Sequence, residues 1–273
     1  MILQHKNAVI YGAGGSLGGA VAKAFAKAGA RVFLTGRRIG SIQKVADEIA
    51  GFGGKAEVAL VDGYDENAVA EHLEQVRRAA GSVDISYNAV DIPVLQNIAL
   101  TDMSIDDYVR PVTQTATTRF LTASAAAKLM IEQRSGVILS VTATPGGIGY
   151  PYTGGFAAAN AAIESLARNL ASELGSYGVR VVNIRSGGSP DSAVFKEAIE
   201  KFPDIMKGVL HGMEEDTMLK KLPSLADIAN TAVFLASDMA ASITGVTVDV
   251  TSGTTAALNY RVKLATLGRD PNP

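Results

Sequence analysis

The sequence predicts an α/β fold: a parallel sheet of about seven strands with helices on both faces, in three layers. Short apolar runs alternate with helical patterns along most of the chain, and glycines stand where several helical patterns stop. Of the 273 residues, 47% are apolar, which is ample for a buried core. Because no internal repeat or linker-like change of composition interrupts the chain, we expect a single domain over residues 1–273.

The predicted strands are the short apolar runs. They lie at Asn7–Tyr11, Arg31–Leu34, Ala56–Val61, Val83–Tyr87, Gly136–Val141, Val179–Ile184 and Val246–Val250. Longer stretches with apolar residues at helical spacing separate them. These predicted helices lie at Leu17–Ala28, Ser41–Ala50, Glu66–Ala80, Asp106–Gln133, Phe156–Ser176 and Ala226–Ser237.

Residues at the helix ends agree with this pattern. Gly29, Gly81 and Gly178 follow helical stretches, where glycine often ends a helix. Ser224 and Asp227, three residues apart, resemble a capping box at the start of the last helix. The predicted boundaries therefore rest on end signals as well as on periodicity.

Two segments depart from the alternation. Residues 189–223 mix Glu, Lys and Met, and we interpret them as a helical insertion over the carboxyl ends of the strands, where such segments often form substrate lids. The polar tail Gly268–Pro273 is expected to fray.

Composition excludes several kinds of site and partner. With 25 Lys and Arg against 27 Asp and Glu, the formal net charge is −2, so neither nucleic acid nor a membrane is expected as the main partner. The chain has no cysteine and three scattered histidines, so no disulfide, thiolate catalyst or metal site is predicted. The lack of cysteine is compatible with the cytoplasm, and a strand that begins by Asn7 leaves no room for a signal peptide.

A glycine-rich turn follows the first predicted strand. From Gly12 the chain reads Gly-Ala-Gly-Gly-Ser-Leu-Gly-Gly, and an alanine-rich helix begins at once. Such a turn lets the backbone approach a diphosphate, and the helix presents N–H groups and a partial positive charge to it. The sequence therefore predicts a dinucleotide site rather than a turn that is glycine-rich for packing alone. Its contact residues would be Gly12, Gly14, Gly15, Ser16, Leu17 and Gly18.

The residues after the second strand indicate which dinucleotide is bound. An NAD site needs a carboxylate about 20 residues beyond the turn, whereas an arginine there suits the extra phosphate of NADP. Here Arg37 and Arg38 follow the second predicted strand, and this position has no acidic residue. Two guanidinium groups favour NADP, unless they are ordinary surface charges.

These motifs resemble those of the short-chain dehydrogenase/reductase family, and the resemblance extends to about residue 258. Gly12 and Gly18 match the family's phosphate turn, although Tyr11 and Ser16 stand where the family has threonine and its middle glycine. The resemblance implies a Rossmann-like doubly wound sheet and places Asp62 near the adenine.

Further positions follow from this resemblance. The family's Asn-Asn-Ala-Gly reads Asn-Ala-Val-Asp here, from Asn88 to Asp91, and its Pro-Gly after the sixth strand is replaced by Ser-Gly-Gly-Ser. Asn88, Gly187 and Ser189 are therefore predicted to lie beside the cofactor. A purely conformational turn is the alternative for the second segment.

Other residues occupy the family's catalytic positions. Members that reduce carbonyls use an asparagine, a serine and a Tyr-x-x-x-Lys pair, in which the tyrosine gives a proton and the lysine lowers its pKa and holds the nicotinamide ribose. The resemblance aligns these positions, in chain order, with Thr115, Ala143, Phe156 and Asn160. A phenyl ring has no exchangeable proton and an amide has no positive charge, so the usual acid is absent. Asn160 keeps the ability to hydrogen-bond ribose hydroxyls.

Three residues are candidates for a substitute acid. Tyr150 and Tyr152 lie in a loop that, by the resemblance, lines the substrate pocket, and the alternative is that they only form its wall. Asp91 stands in place of a family glycine near the nicotinamide, where a partly buried carboxylate could act as an acid. The alternative is that Asp91 faces solvent or caps a helix.

The sequence leaves three functions open. The first is an NADPH-dependent oxidoreductase whose substrate needs little help from an acid, such as a protonated imine or an enone, or a carbonyl with a relocated acid. The second is an NADP(H)-binding protein without turnover, which senses redox state or assists a partner enzyme. The third is elimination or isomerisation without net redox change.

Two helices also suggest self-assembly. Thr115–Lys128 and Ala157–Leu174 carry many small residues, which favour close packing across a subunit boundary. The family often assembles as tetramers through these helices, so a homotetramer or dimer is expected. Packing within one chain is the alternative.

Overall fold

Seven parallel strands form the centre of the computed structural model, which describes residues 1–257. They are β1 (Asn7–Tyr11), β2 (Arg31–Gly36), β3 (Lys55–Leu60), β4 (Ile85–Asn88), β5 (Gly136–Ala143), β6 (Val179–Ser186) and β7 (Thr247–Val250). Their spatial order is β3-β2-β1-β4-β5-β6-β7, and neighbouring strands run parallel. The predicted doubly wound, Rossmann-like sheet is confirmed, whereas the predicted tail Gly268–Pro273 lies outside the described residues.

Helices cover both faces of this sheet. They are α1 (Ser16–Lys27), α2 (Ile39–Gly51), α3 (Glu66–Ala80), α4 (Ile105–Gln133), α5 (Gly155–Leu174), α6 (Ala193–Lys201), α7 (Pro203–Glu215) and α8 (Leu225–Ala236). One buried apolar cluster joins α1, α2 and α8 to the sheet, and a second joins α3, α4 and α5 to its other face. The six predicted helices are present close to their predicted ends, and α6 and α7 lie in the predicted insertion.

Strand β1 shows why the strand sequences are apolar throughout. Ala8 and Ile10 belong to the cluster beneath α1, whereas Val9 and Tyr11 belong to the cluster beneath α4. Successive side chains of a strand point to opposite faces of the sheet. Because helices cover both faces, each residue of β1 is buried.

The ends of several elements have identifiable causes. Gly81 and Gly178 have φ angles of 88° and 75°, in the left-handed region that glycine adopts readily, and the predicted capping box at Ser224 is present. Strand β4 begins at Ile85 rather than at the predicted Val83, because the side chain of Gln133 hydrogen-bonds both the N–H and the carbonyl of Val83. Within residues 1–257, no helix combines the length and apolarity needed to cross a membrane.

Candidate functional site

The glycine-rich turn lies at the carboxyl end of β1, where the strand order reverses between β1 and β4. Gly12 has a φ of 73°, and a Cβ added to it would lie 2.6 Å from the carbonyl oxygen of Ala89. A Cβ added to Gly18 would collide with the carbonyl oxygen of Gly12. In the described part of the chain, no side chain caps the start of α1. These two glycines therefore allow close packing of the backbone within the protein, and the uncapped start of α1 leaves backbone N–H groups that fit a diphosphate.

A cavity of about 620 Å³ opens beside the turn, and we call it the arginine-side cavity. Its walls include Arg37, Arg38, Asp62 and Asp91. Both arginines are exposed, and within residues 1–257 neither guanidinium has a hydrogen bond or ion pair. Asp62 accepts a hydrogen bond from the backbone N–H of Tyr64 at 3.1 Å. The cavity therefore has two cationic groups that are available to an anion.

A second cavity, of about 470 Å³, runs from the turn towards the ends of β5 and β6, and we call it the groove. The predicted site residues that line it are Gly14, Gly15, Ser16, Leu17, Gly18, Arg38, Asp91, Thr115, Ala143, Phe156 and Asn160. The structure thus brings the phosphate turn to the same cavity as the four residues aligned with the family's catalytic positions. Within residues 1–257, the side chains that line the groove include neither a tyrosine nor a lysine.

Asn160 joins α5 to the end of β5. Its side-chain Oδ1 accepts a hydrogen bond from the backbone N–H of Ala143 at 2.8 Å, and its Nδ2 donates to the carbonyl oxygen of Phe156 at 2.7 Å. The residue is only 6% exposed. Each end of the amide therefore already has one partner within the protein, which leaves one N–H of Nδ2 to donate to a ligand and one lone pair of Oδ1 to accept from it.

A charged network lies one turn further along α5. The carboxylate of Glu164 accepts from Thr142 Oγ1 at 3.1 Å and from Arg185 Nη2 at 2.6 Å. Arg185 also pairs with Asp249 at 3.0 Å, and the hydrogen bond to Glu164 raises the pKa of its guanidinium. Glu164 is 5% exposed, so this network fixes α5 against β5, β6 and β7 beneath the groove.

The candidate acids occupy different places. Asp91 lines both cavities, is exposed, and accepts a hydrogen bond from the N–H of Ile92 at 3.0 Å. Tyr150 is 38% exposed, and its partial burial raises the pKa of its phenol. Tyr152 is 59% exposed and has a φ of 61°. Neither tyrosine lines the groove, so Asp91 is the candidate that the structure brings to it.

Three further predicted cofactor residues lie behind the cavity walls. Asn88 is buried, and its amide donates to Thr122 Oγ1 at 2.8 Å while Oδ1 accepts from the N–H of Val90 at 2.9 Å. The N–H of Gly187 donates to the carbonyl of β7 residue Val250 at 3.0 Å. Ser189 is 6% exposed, and its hydroxyl has no partner in the described residues. These residues shape the loops around the cavities rather than line them.

One contact joins the phosphate turn to the insertion. The hydroxyl of Ser16 accepts a hydrogen bond at 2.9 Å from the backbone N–H of Ala193, the first residue of α6. Ser192, Ala193 and Val194 also line the groove. The start of α6 therefore forms one wall of the groove and is attached to the turn.

Sequence reasoning missed Arg119, which is 7% exposed and lines the groove. Its guanidinium donates to Oδ1 of Asn88 and to the carbonyl of Val90. The available signal was an arginine among small residues, in Thr-Ala-Thr-Thr-Arg-Phe, near the position aligned with a catalytic residue. Arginine is almost never fully buried unless it is paired, and the sequence alone does not show that Arg119 is buried.

The chain is similar in sequence to dehydrogenases and reductases. A family model described as enoyl-(acyl carrier protein) reductase matches residues 12–255. The chain is 30% identical over 254 residues to a 3α-hydroxysteroid dehydrogenase of Mediterraneibacter gnavus, covering 90% of this chain and 95% of that protein. It is 31% identical over 259 residues to an L-rhamnose 1-dehydrogenase (NAD(P)(+)) of Azotobacter vinelandii, covering 93% and 98%.

A solved structure is also similar. The crystal structure of a short-chain type dehydrogenase/reductase from Mycobacterium marinum superposes with a TM-score of 0.80 at 29% identity. The match covers 93% of this chain and 96% of that chain. The similarity therefore extends over most of both chains.

Proposed function

Because the chain belongs to the short-chain dehydrogenase/reductase family of oxidoreductases, we propose that it is an NADP(H)-dependent member with a non-standard catalytic site. Its substrate would be a small molecule that is already activated, such as an imine or an enone. When bound, the reduced nicotinamide supplies a hydride. The protein would bind it, orient the acceptor and exclude water.

Observations on the nucleotide side support NADP(H). Gly12 to Gly18 would hold the diphosphate, and Asp62 would lie near the adenine. Arg37 and Arg38 would contact the additional phosphate, since both line the arginine-side cavity and lack other partners in the described residues. Asn160 would approach the nicotinamide ribose from the groove wall, with Asn88, Gly187 and Ser189 supporting the surrounding loops.

The observation that carries the catalytic part of the proposal is the lining of the groove. Phe156 stands there without a proton to give, and the Asn160 amide is hydrogen-bonded within the protein. Reduction of a ketone creates an alkoxide that needs a proton. A protonated imine already carries its proton, and an enone delocalises the added charge, so both suit this groove better.

Among the three candidates for an assisting group, Asp91 is the strongest because it lines the groove. Tyr150 and Tyr152 would assist only after a movement of their loop. Residues 189–223 would act as the substrate lid, since the start of α6 forms a groove wall. The chain would form a single domain over residues 1–273.

Self-assembly and location complete the proposal. Helices α4 and α5 would form the boundary of a homotetramer or dimer, and the 52% exposed Phe120 on α4 would be covered there. Size-exclusion chromatography with light scattering tests this. The absence of cysteine is compatible with the cytoplasm, which we propose as the location.

The deciding experiment separates binding from turnover. Calorimetric titration with NADPH and NADH is followed by assays of NADPH oxidation with ketones, enones and cyclic imines. We expect tighter binding of NADPH and turnover only with the activated substrates. Binding without turnover on any of them favours a cofactor-binding protein that senses redox state or serves a partner, a function that the hydrogen-bonded Asn160 also fits. Failure to bind either dinucleotide contradicts both functions.

A further inference from the structure

Arg119 is a buried cation at the groove that has no ion pair in the described residues, although the exposed carboxylate of Asp91 acts on it electrostatically. Its guanidinium donates to Asn88 Oδ1 and, at 3.4 Å, to the carbonyl of Val90, while Nε has no partner in the described residues. Within residues 1–257, no carboxylate lies within 4.0 Å of it. Burial lowers the pKa of Arg119 to about 10, so the group stays protonated at neutral pH.

Two other arginines of the sheet region show how such a charge is normally compensated. Arg185 pairs with Glu164 and Asp249. Arg180 donates to three backbone carbonyl oxygens at the amino end of the sheet. Arg119 has only two neutral acceptors and an unused N–H, and a desolvated charge of this kind is costly without an anion.

The direction of the side chain places this charge at the groove. Helix α4 leads from the carboxyl end of β4 to the amino end of β5, and Arg119 lies midway along it. Helical side chains lean towards the N-terminus of their helix. The guanidinium of Arg119 contacts Asn88, at the carboxyl end of β4, and the carbonyl of Val90, and Arg119 lines the groove together with Thr115 and Asn160.

We infer that Arg119 is an anion-binding residue. Its guanidinium donates a hydrogen bond to a negatively charged oxygen of the molecule bound in the groove. That oxygen belongs either to a phosphate of the dinucleotide or to a carboxylate of the substrate. The inference rests on the proposed function and deepens it. Because position 160 is asparagine, the cation that the family places on α5 is here supplied by α4.

The test compares wild type with Arg119→Met by calorimetric titration. If the anion is a cofactor phosphate, the variant binds NADPH more weakly by about 10-fold or more, the contribution of one charge-assisted hydrogen bond. If it is a substrate carboxylate, NADPH affinity is unchanged, and the NADP⁺ complex of the variant loses affinity for acetate and benzoate by a similar factor. Arg119→Lys keeps the positive charge, so its affinity should fall less than that of Arg119→Met.

Matched controls separate this role from a structural one. Arg78→Met removes an exposed arginine of α3 and should change none of these affinities. Circular dichroism establishes that each variant is folded, and if Arg119→Met does not fold, the difference between Arg119→Lys and Arg119→Gln decides. Equal affinities of wild type and variant for NADPH, acetate and benzoate would overturn the inference. Wild-type protein that binds neither NADPH nor NADH contradicts the proposed function instead.

Discussion

The turn between β1 and α1 differs from the junction of β5 and α5 in what its polar groups contact. At the turn, Gly12 and Gly18 allow close backbone contacts that a Cβ would prevent, and the start of α1 has no side-chain cap in the described residues. At the junction, Asn160 is hydrogen-bonded to Ala143 and Phe156. One end of the site thus keeps backbone N–H groups for a ligand, whereas the side-chain amide at the other end already has hydrogen bonds within the protein. The proposed function accordingly separates cofactor binding from proton transfer.

The largest effect should come from rebuilding the junction. The double variant Phe156→Tyr/Asn160→Lys supplies a phenol and an ammonium group, and we expect ketone reduction to rise by about 100-fold or more, the usual contribution of a positioned acid. Initial rates of NADPH oxidation measure it. Phe156→Leu, which adds no proton, is the control. An unchanged ketone rate in a folded double variant that binds NADPH would show that the groove lacks more than an acid.

Breaking the network beneath the junction should cost stability. Glu164→Ala leaves the partly buried Arg185 with Asp249 alone, and we expect the free energy of unfolding to fall by about 2–3 kcal/mol. Urea denaturation followed by circular dichroism measures this. Glu173→Ala, at an exposed position of the same helix, should cost far less. Equal losses for the two variants would mean that the network does not stabilise α5.

A single methyl group in the glycine-rich turn should weaken cofactor binding. Gly18→Ala places a Cβ against the carbonyl oxygen of Gly12, so the turn must shift, and we expect NADPH affinity to fall by about 10- to 100-fold. Titration calorimetry measures the affinity. Gly40→Ala adds the same methyl group where no atom lies within 4 Å, and it should bind normally. A Gly18→Ala variant with wild-type affinity would place the diphosphate elsewhere.

The smallest expected effect concerns cofactor choice. Arg37→Met/Arg38→Met removes the two free guanidinium groups of the arginine-side cavity, and we expect NADPH affinity to fall by about 10-fold while NADH affinity stays constant. NADH is the internal control for the integrity of the site. A parallel loss of both affinities would argue against a phosphate contact.

Most of the fold could be predicted from the sequence because its signals are local. The strand runs, Gly81 and the capping box at Ser224 each depend on residues close to one another in the chain. The glycine-rich turn belongs to the same class, since a tight approach needs glycine wherever the strand and helix are joined. For these features, pattern and structure agree.

The details of the site could not be predicted in the same way. Whether Tyr150 reaches the groove depends on how its loop packs, and whether the Asn160 amide is free depends on Ala143, which is 17 residues away. The burial of Arg119 against Asn88 depends on how α4 lies on β4. Such contacts depend on tertiary packing, and an alignment of sequence motifs gives no information about it.

The hydrogen bond between Ser16 and Ala193 has an energetic consequence for the order of events at the site. Displacing α6 from the groove breaks a bond made by the first residue of α1. Any molecule that occupies the phosphate turn and changes the orientation of that hydroxyl therefore alters the free energy of displacing α6. By reciprocity, the position of α6 alters the affinity of the turn for that molecule, so the two halves of the site are thermodynamically linked through a single side chain.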